Sequence, residues 1–256
     1  MPLDDATRLR RAAVFGRAAD VYDRHRTGYP DDAVTWAVPA DARDVVDLGA
    51  GTGKLTAALA ARGSLHVTAV DPSPEMLDRL RASVPGVATR VASAEATGLP
   101  TASADVVAVA AAFHWFSRPA ADEEIARVLR PGGTLAVLTD RRDPEGPAAR
   151  LFTAVGERLR AAGEQPSVAD EEFVPDPRWF GPAERAEFRH DVVVTVPRLV
   201  GMIASRSYVI DLPEPARTDL LDEVGRLARA EFGAGDDATA VLPLRTVVWR
   251  AQTLRS

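Results

Sequence analysis

Short apolar runs alternate with stretches in which apolar residues recur three to four apart, and the alternation sets the reading of the first 140 residues. Val45-Val46 running into Leu48 predicts a strand over 44–48 that ends at glycines. Lys54 to Arg62 is alanine-rich with leucines four apart, which predicts a helix stopped by Gly63. His66 to Val70 predicts a second strand ending at Asp71. Ser73 as N-cap and Pro74 at the first helical position then start a helix to about Ser83. Val87 to Val91 is a third, weaker strand. Asp105 to Ala110 is a fourth, apolar throughout and so expected to be buried on both faces. A helix from Pro119 to Leu129, ended by Arg130-Pro131-Gly132-Gly133, leads to a fifth strand over 134–139. Strands alternating with helices predict a parallel sheet with helices on both faces. Ligands of such sheets bind beyond the carboxyl ends of the strands. The glycine turn, Asp71, Ser93 and His114 all fall there.

The flanks break this rhythm. Residues 7–27 predict a helix, and Gly28 to Asp32 are expected to cap a short one through Trp36. After Thr139 come a charged loop over 140–147, a helix over 148–162 and a Pro-, Glu- and Asp-rich region over 163–182. A strand over 188–196, helices over 199–208 and 216–232 and a strand over 244–249 complete the chain. The two late strands are expected to form an antiparallel edge of the same sheet, with the intervening helices as a cap.

Composition narrows the class. A chain of 256 residues, 46% hydrophobic and 27% charged, has ample material for a core. No run reaches the ~18 to 20 apolar residues that span a bilayer, and the first residues lack the basic-then-apolar pattern of a leader. Zero cysteines exclude disulfides, thiolate metal sites and a cysteine nucleophile, and make the cytoplasm the simplest compartment. A net charge of −6 offers no basic footprint for nucleic acid. His25, His66 and His190 show no metal-ligand spacing, so no metal is expected.

The candidate chemistry starts at Asp47-Leu48-Gly49-Ala50-Gly51-Thr52-Gly53. Glycines let the turn take positive φ and let a ligand lie against the backbone. The N–H groups of the following helix turn face the same space. The dinucleotide fingerprint G-x-G-x-x-G needs glycine where Lys54 stands. Asp47, beside the turn, favours a cationic amino group over a pyrophosphate. Asp71, eighteen residues past Gly53, can accept hydrogen bonds from ribose hydroxyls, although Asp before Pro is also a common turn.

Five segments in order carry a resemblance to a known family. They are Asp47 to Gly53; Val70-Asp71-Pro72-Ser73-Pro74-Glu75-Met76-Leu77; Ala92-Ser93-Ala94-Glu95 with Leu99-Pro100; Phe113-His114-Trp115-Phe116; and Arg127 to Gly133. Together with Phe15-Gly16, Ala19, Tyr22 and Tyr29-Pro30, this pattern resembles the class I S-adenosylmethionine-dependent methyltransferases. It is closest to the small-molecule, type 11 group that includes ubiquinone/menaquinone-type and trans-aconitate-type enzymes. The resemblance implies a doubly wound, Rossmann-like α/β fold with a seven-stranded, mostly parallel sheet, an antiparallel edge strand and a helical cap. It implies a 1–40 helical segment over the cofactor cleft, a 41–140 cofactor-binding core, and a 141–256 remainder whose helical insertion shapes the acceptor pocket.

The resemblance also implies roles. Asp47 and the backbone of Gly49, Ala50, Gly51 and Gly53 would hold the methionine part of S-adenosyl-L-methionine. Asp71 would bind the ribose, and Met76 with its neighbour Pro72 would pack on adenine. The family often has Asp where Ser93 stands, which leaves Ser93, Ala94 and Glu95 as candidates for the adenine edge. Tyr22, with Arg26 and Tyr29, either closes over the cofactor or simply packs. His114 is the candidate general base, against a purely structural role in its loop. Residues 197–232 are expected to cover the cleft, with Arg206 and Tyr208 toward a small-molecule acceptor. Neither a nucleic acid nor a membrane partner is expected. Two other readings stand beside this one: a nicotinamide-dependent reductase, and a non-catalytic module that binds S-adenosylmethionine.

Overall fold

The computed structural model describes residues 28–142, 149–161, 172–233, 235 and 237–255. The helix expected over 7–27, with Tyr22 and Arg26, lies outside them. In chain order the elements are α1 (Asp31–Ala37), β1 (Asp44–Leu48), α2 (Lys54–Ala60), β2 (His66–Asp71), α3 (Pro74–Ser83), β3 (Ala88–Val91), β4 (Ala104–Ala110), a 3-10 turn (Phe113–Trp115), α4 (Ala120–Val128) and β5 (Leu129–Arg142). Then come α5 (Ala149–Ala161), β6 (Glu184–Thr195), α6 (Val196–Ala204), α7 (Ser207–Ile210), α8 (Glu214–Phe232) and β7 (Thr239–Gln252). The seven strands form one sheet in the order β3-β2-β1-β4-β5-β7-β6. The pairings from β3 through β5 are parallel, and the late strands supply the antiparallel edge.

The chain divides into two compact units. Of the described residues, one contains 28–140, 172–188 and 246–255, and the other 141–142, 149–161, 189–233, 235 and 237–245. In the first unit the strand pleat separates two cores. Val46, Leu48, Val107, Val109, Leu135, Val137 and Trp249 join Ile125 and Val128 of α4 in one of them. Val45, Val67, Val106, Ala136 and Val248 join Val34 of α1 and Leu55 and Leu59 of α2 in the other. Burial on both faces is why Val45, Val46 and Leu48 of β1 and Val106 to Ala110 of β4 are apolar. In the second unit α5, α6, α7 and α8 close around Leu159, Leu199, Val209, Val224 and Leu244. Arg158 and Glu223 pair at 2.9 Å on its surface.

Several boundaries differ from the sequence reading. The fifth strand starts at Leu129 rather than Thr134, because Arg130 to Gly133 bulge within it instead of leaving it. Ala104 faces Leu129, yet Val106, two residues on, faces Thr134. A bulge tolerates Pro131, which has no N–H to donate. The helix expected over 199–208 is two helices, the first starting at Val196. Thr195 caps it by accepting from the Arg198 amide at 3.3 Å, with Pro197 in the first turn. The final strand is much longer than 244–249, since Pro243 does not end it. The short N-terminal helix begins after Pro30, which gives no side-chain cap. Asp31 and Asp32 occupy its first turn, where negative charge is favourable. Tyr208, expected toward an acceptor, is 6% exposed and packs in the second unit's core.

Two ionic networks hold the loops around this sheet. At the amino ends, Arg130 donates to Asp105 at 2.6 Å and to Asp44 at 2.7 Å. Asp105 also accepts from the amides of Arg43 and Asp44, so β1, β4 and β5 are stapled together there. On α4, Glu124 accepts from the amide and hydroxyl of Thr97 at 2.8 and 2.5 Å and from both sides of the Arg127 guanidinium. Arg127 continues to the Leu99 carbonyl at 2.7 Å, which fixes the loop after β3. Arg127 holds the Glu124 carboxyl far below its ordinary 4.5, at about 2. A depressed carboxyl contributes stability that is complete above about pH 4.5 and is lost as pH falls toward 2. Glu124→Gln is therefore expected to cost about 2 kcal/mol at neutral pH, in the range for hydrogen bonds to charged groups. In denaturant titrations over that acid range the gap to the wild type should close; a gap that does not change with pH would discount the charge.

Candidate functional site

The glycine turn follows β1, and its three glycines do different things. Gly49, Gly51 and Gly53 take φ of 75°, 55° and 91°, the left-handed region. A Cβ on Gly49 would stand 2.6 Å from the Ala112 Cβ, and one on Gly53 would stand 2.7 Å from the Leu80 Cγ. Those two glycines let the loop after β4 and helix α3 close on the turn. A Cβ on Gly51 would meet nothing within 4 Å. Gly51 alone of the three opens onto space a ligand can occupy. The loop that presses on Gly49 is itself bent by Ala111, whose φ of 51° is uncommon for a residue with a side chain.

The turn's amides are already engaged. Gly49 and Ala50 donate to the Val70 carbonyl at 2.8 and 3.1 Å, and Gly53 donates to the Ala50 carbonyl at 3.0 Å. Gly51 donates to Asp71 Oδ2 at 2.8 Å. A pyrophosphate cradle needs such N–H groups aimed at the ligand. This turn spends them inward and sets two carboxylates beside it, which disfavours a polyanion and favours a ligand with hydroxyl donors and a cationic group.

Asp71 ends β2, and its carboxylate also accepts from the Ser73 amide at 2.9 Å through Oδ1. Each oxygen keeps a second lone pair. Burial pushes its pKa up, against those two backbone bonds. Ser73 caps α3 by accepting from the Met76 amide at 3.3 Å, as its sequence predicts. Met76 is buried and Pro72 is exposed.

Asp47, the penultimate residue of β1, is 1% exposed. Its Oδ2 accepts from the Thr56 hydroxyl at 2.5 Å, and its Oδ1 is buried with no hydrogen-bond partner among the described residues. Burial, with the nearby charge of Asp71, raises its pKa to about 7. Thr56 was not singled out from the sequence. Its signal was a hydroxyl in the first turn of α2, three residues past the last glycine, where it can reach back under the turn.

The other candidates lie on neighbouring strand ends. Ser93 and Ala94 follow β3, Ala94 being buried, and Ser93 bridges to Ala96. Glu95 accepts from the Ser117 amide at 2.7 Å and so ties the loop after β3 to the loop after β4. His114 is exposed in the 3-10 turn, its ring 4.6 Å from that of Trp115. The order β3-β2-β1-β4 brings all these loops to one end of the sheet. Among the described residues no three His, Asp or Glu side chains gather as a metal site.

Comparison with known proteins places this geometry. A methyltransferase-domain family model, type 11, matches residues 46–137. An uncharacterized methyltransferase of Mycobacterium bovis is 41% identical over 237 residues, which is 93% of this chain and 94% of the relative. A methyltransferase-like protein of Schizosaccharomyces pombe is 33% identical over 81% of this chain and 83% of its own length. The solved structure of a protein described as a type II methyltransferase, from Anaeromyxobacter dehalogenans, superposes with a TM-score of 0.66 at 29% identity, covering 89% of this chain and 97% of that one. The chain belongs to the class I S-adenosylmethionine-dependent methyltransferases.

Asp47 gives the site a testable pH signature. Its folded pKa of about 7 lies above its ordinary 3.8, so between those values the folded state keeps a proton that the unfolded chain has released. Stability from this group therefore falls as pH rises from 3.8 to about 7 and is level outside that window. Melting temperatures of the wild type and of Asp47→Asn across the window should diverge, the wild type losing ground as pH rises. Parallel curves would mean that Asp47 does not titrate there.

Proposed function

We propose that the protein moves the methyl group of S-adenosylmethionine to a small-molecule acceptor, with the donor lying over Gly51. The observation that carries this reading is the open face of Gly51 between Asp71 and the loops after β3 and β4, while Gly49 and Gly53 are packed shut. The residues suit this donor. Asp71 has lone pairs left for ribose hydroxyls, and Met76, Pro72, Ser93, Ala94 and Glu95 border the adenine side. Asp47, with an unsatisfied buried oxygen, sets a negative potential that favours a ligand's ammonium.

When bound, S-adenosylmethionine supplies a methyl on a sulfonium, a centre that a positioned nucleophile can displace in line. The protein's part is then to orient and to exclude water. The Asp71 clamp and the Glu95–Ser117 bond keep the bordering loops in place. His114, on the rim of the loop after β4, is the side chain to which an acceptor proton would pass; a structural role with Trp115 is the competing assignment. Residues 141–256 would shape the acceptor pocket. The cytoplasm fits a chain with zero cysteines, and no helix among the described residues is long and apolar enough to cross a membrane.

Calorimetric titration with S-adenosylhomocysteine tests the reading. Asp71→Asn is expected to weaken binding by about 1.5 to 3 kcal/mol, the range for hydrogen bonds to a charged group. Gly51→Val should abolish it, because the branched side chain enters the open face and resists the positive φ of 55° that the turn takes there. Circular dichroism would confirm that both variants fold. Tight binding of a nicotinamide dinucleotide with none of S-adenosylhomocysteine would overturn the assignment.

A further inference from the structure

Thr56 is buried, at 0% exposure, in the first turn of α2, with Leu55 and Leu59 as the other buried residues of that helix. An apolar side chain could fill the same place, so a hydroxyl there needs a partner. A helical threonine commonly turns its hydroxyl back on the backbone of its own helix. This one donates instead to Asp47 Oδ2, nine residues back across the glycine turn, at 2.5 Å. The bond ties α2 to β1 and occupies one Asp47 oxygen. The other oxygen, Oδ1, is buried with no hydrogen-bond partner among the described residues. Such atoms are few in folded proteins, and each calls for an explanation. A bound cation would supply one here.

The groups around Asp47 show what sets its charge. Its register partners, Ala69 on β2 and Ala108 on β4, are uncharged. Lys54, two positions before Thr56, does not share its helix face. Burial acts most strongly against ionisation, and Asp71, at the end of β2, adds its like charge. Thr56 favours the ionised form, through its hydroxyl and then its amide. The balance leaves the carboxyl at about 7, where one hydrogen bond changes the ionised fraction severalfold at neutral pH.

We propose that Thr56 is a positioning residue of the cofactor site, holding Asp47 by one oxygen so that the other can meet the ammonium of S-adenosylmethionine as a carboxylate. This rests on the methyltransferase reading above. Binding of the ammonium then drives the Asp47 proton into solvent, and Thr56 sets how readily it leaves.

The test is calorimetric titration of the full chain from about pH 6 to about pH 8. Two probes are used: S-adenosylhomocysteine, and methylthioadenosine, which keeps the adenosine and the sulfur but lacks the amino acid. Wild-type affinity for S-adenosylhomocysteine should rise with pH through about 7 and then level. Thr56→Val should weaken it about tenfold at the acid end, with the gap narrowing as pH rises. Thr56→Ser, which keeps the hydroxyl, should restore the wild-type profile. Methylthioadenosine affinity should stay within about twofold of wild type in both variants, which also shows that they fold. In an Asp47→Asn background, Thr56→Val should change nothing further.

An S-adenosylhomocysteine gap that is the same at every pH, or an equal loss of methylthioadenosine affinity, would make Thr56 a packing residue and overturn the proposal. So would wild-type affinity in Thr56→Val. Failure of the methyltransferase reading shows separately, as absent S-adenosylhomocysteine binding in the wild type.

Discussion

The Asp71 carboxylate spans two loops at once, and the candidate site depends on that span. One oxygen holds the Gly51 amide and the other holds the Ser73 amide. The first bond stops the glycine turn from relaxing away from β2. The second starts α3 at Ser73, whose hydroxyl then caps Met76. One buried charge therefore orients the turn, the helix start and the residues between. Desolvation works against that charge, and two backbone donors keep it in place. Each of its oxygens keeps a second lone pair beyond those two bonds.

The two ends of the sheet are treated differently. At the amino ends, Arg130 spends both arms on Asp44 and Asp105, and Asp105 takes two backbone amides as well. Polar groups there are satisfied by one another and leave little for a ligand. At the carboxyl ends the bonds run along the loops: Glu95 to Ser117, and Glu124 to Thr97 with Arg127 out to Leu99. These bonds hold the rim and leave the space above Gly51 open. Ala111, in a conformation that costs about 1–2 kcal/mol for a residue with a Cβ, belongs to the same rim. Its strain is borne where the loop after β4 has to turn back onto Gly49.

Asp47 shows how burial tunes a residue that the motif merely names. With Thr56 on one oxygen and nothing described on the other, its carboxyl sits near neutrality in pKa. At neutral pH it is a group that a neighbouring cation can ionise. Asp71, similarly buried but doubly bonded, is the nearby charge that helps push it there.

Much of this was legible in the chain. The strands over 44–48 and 105–110 announce themselves because burial on both faces demands short apolar clusters, Val45-Val46 with Leu48 and Val106 to Ala110. Ser73-Pro74 announces a helix start because a hydroxyl cap and a fixed φ are local properties. Gly49, Gly51 and Gly53 mark a turn for the same local reason. What the sequence could not separate is which glycine is packed against and which faces open space. That depends on Ala112 and Leu80, which approach only once β4 and α3 have docked. The bulge at Arg130 to Gly133 reads in sequence as a helix end, because proline and glycine look alike in either setting until β4 supplies a partner. Thr56 under Asp47 and Glu124 under Thr97 each join residues of separate elements. Local preference determined the elements and the turn; strand register and side-chain reach, which exist only in three dimensions, decided which charges meet.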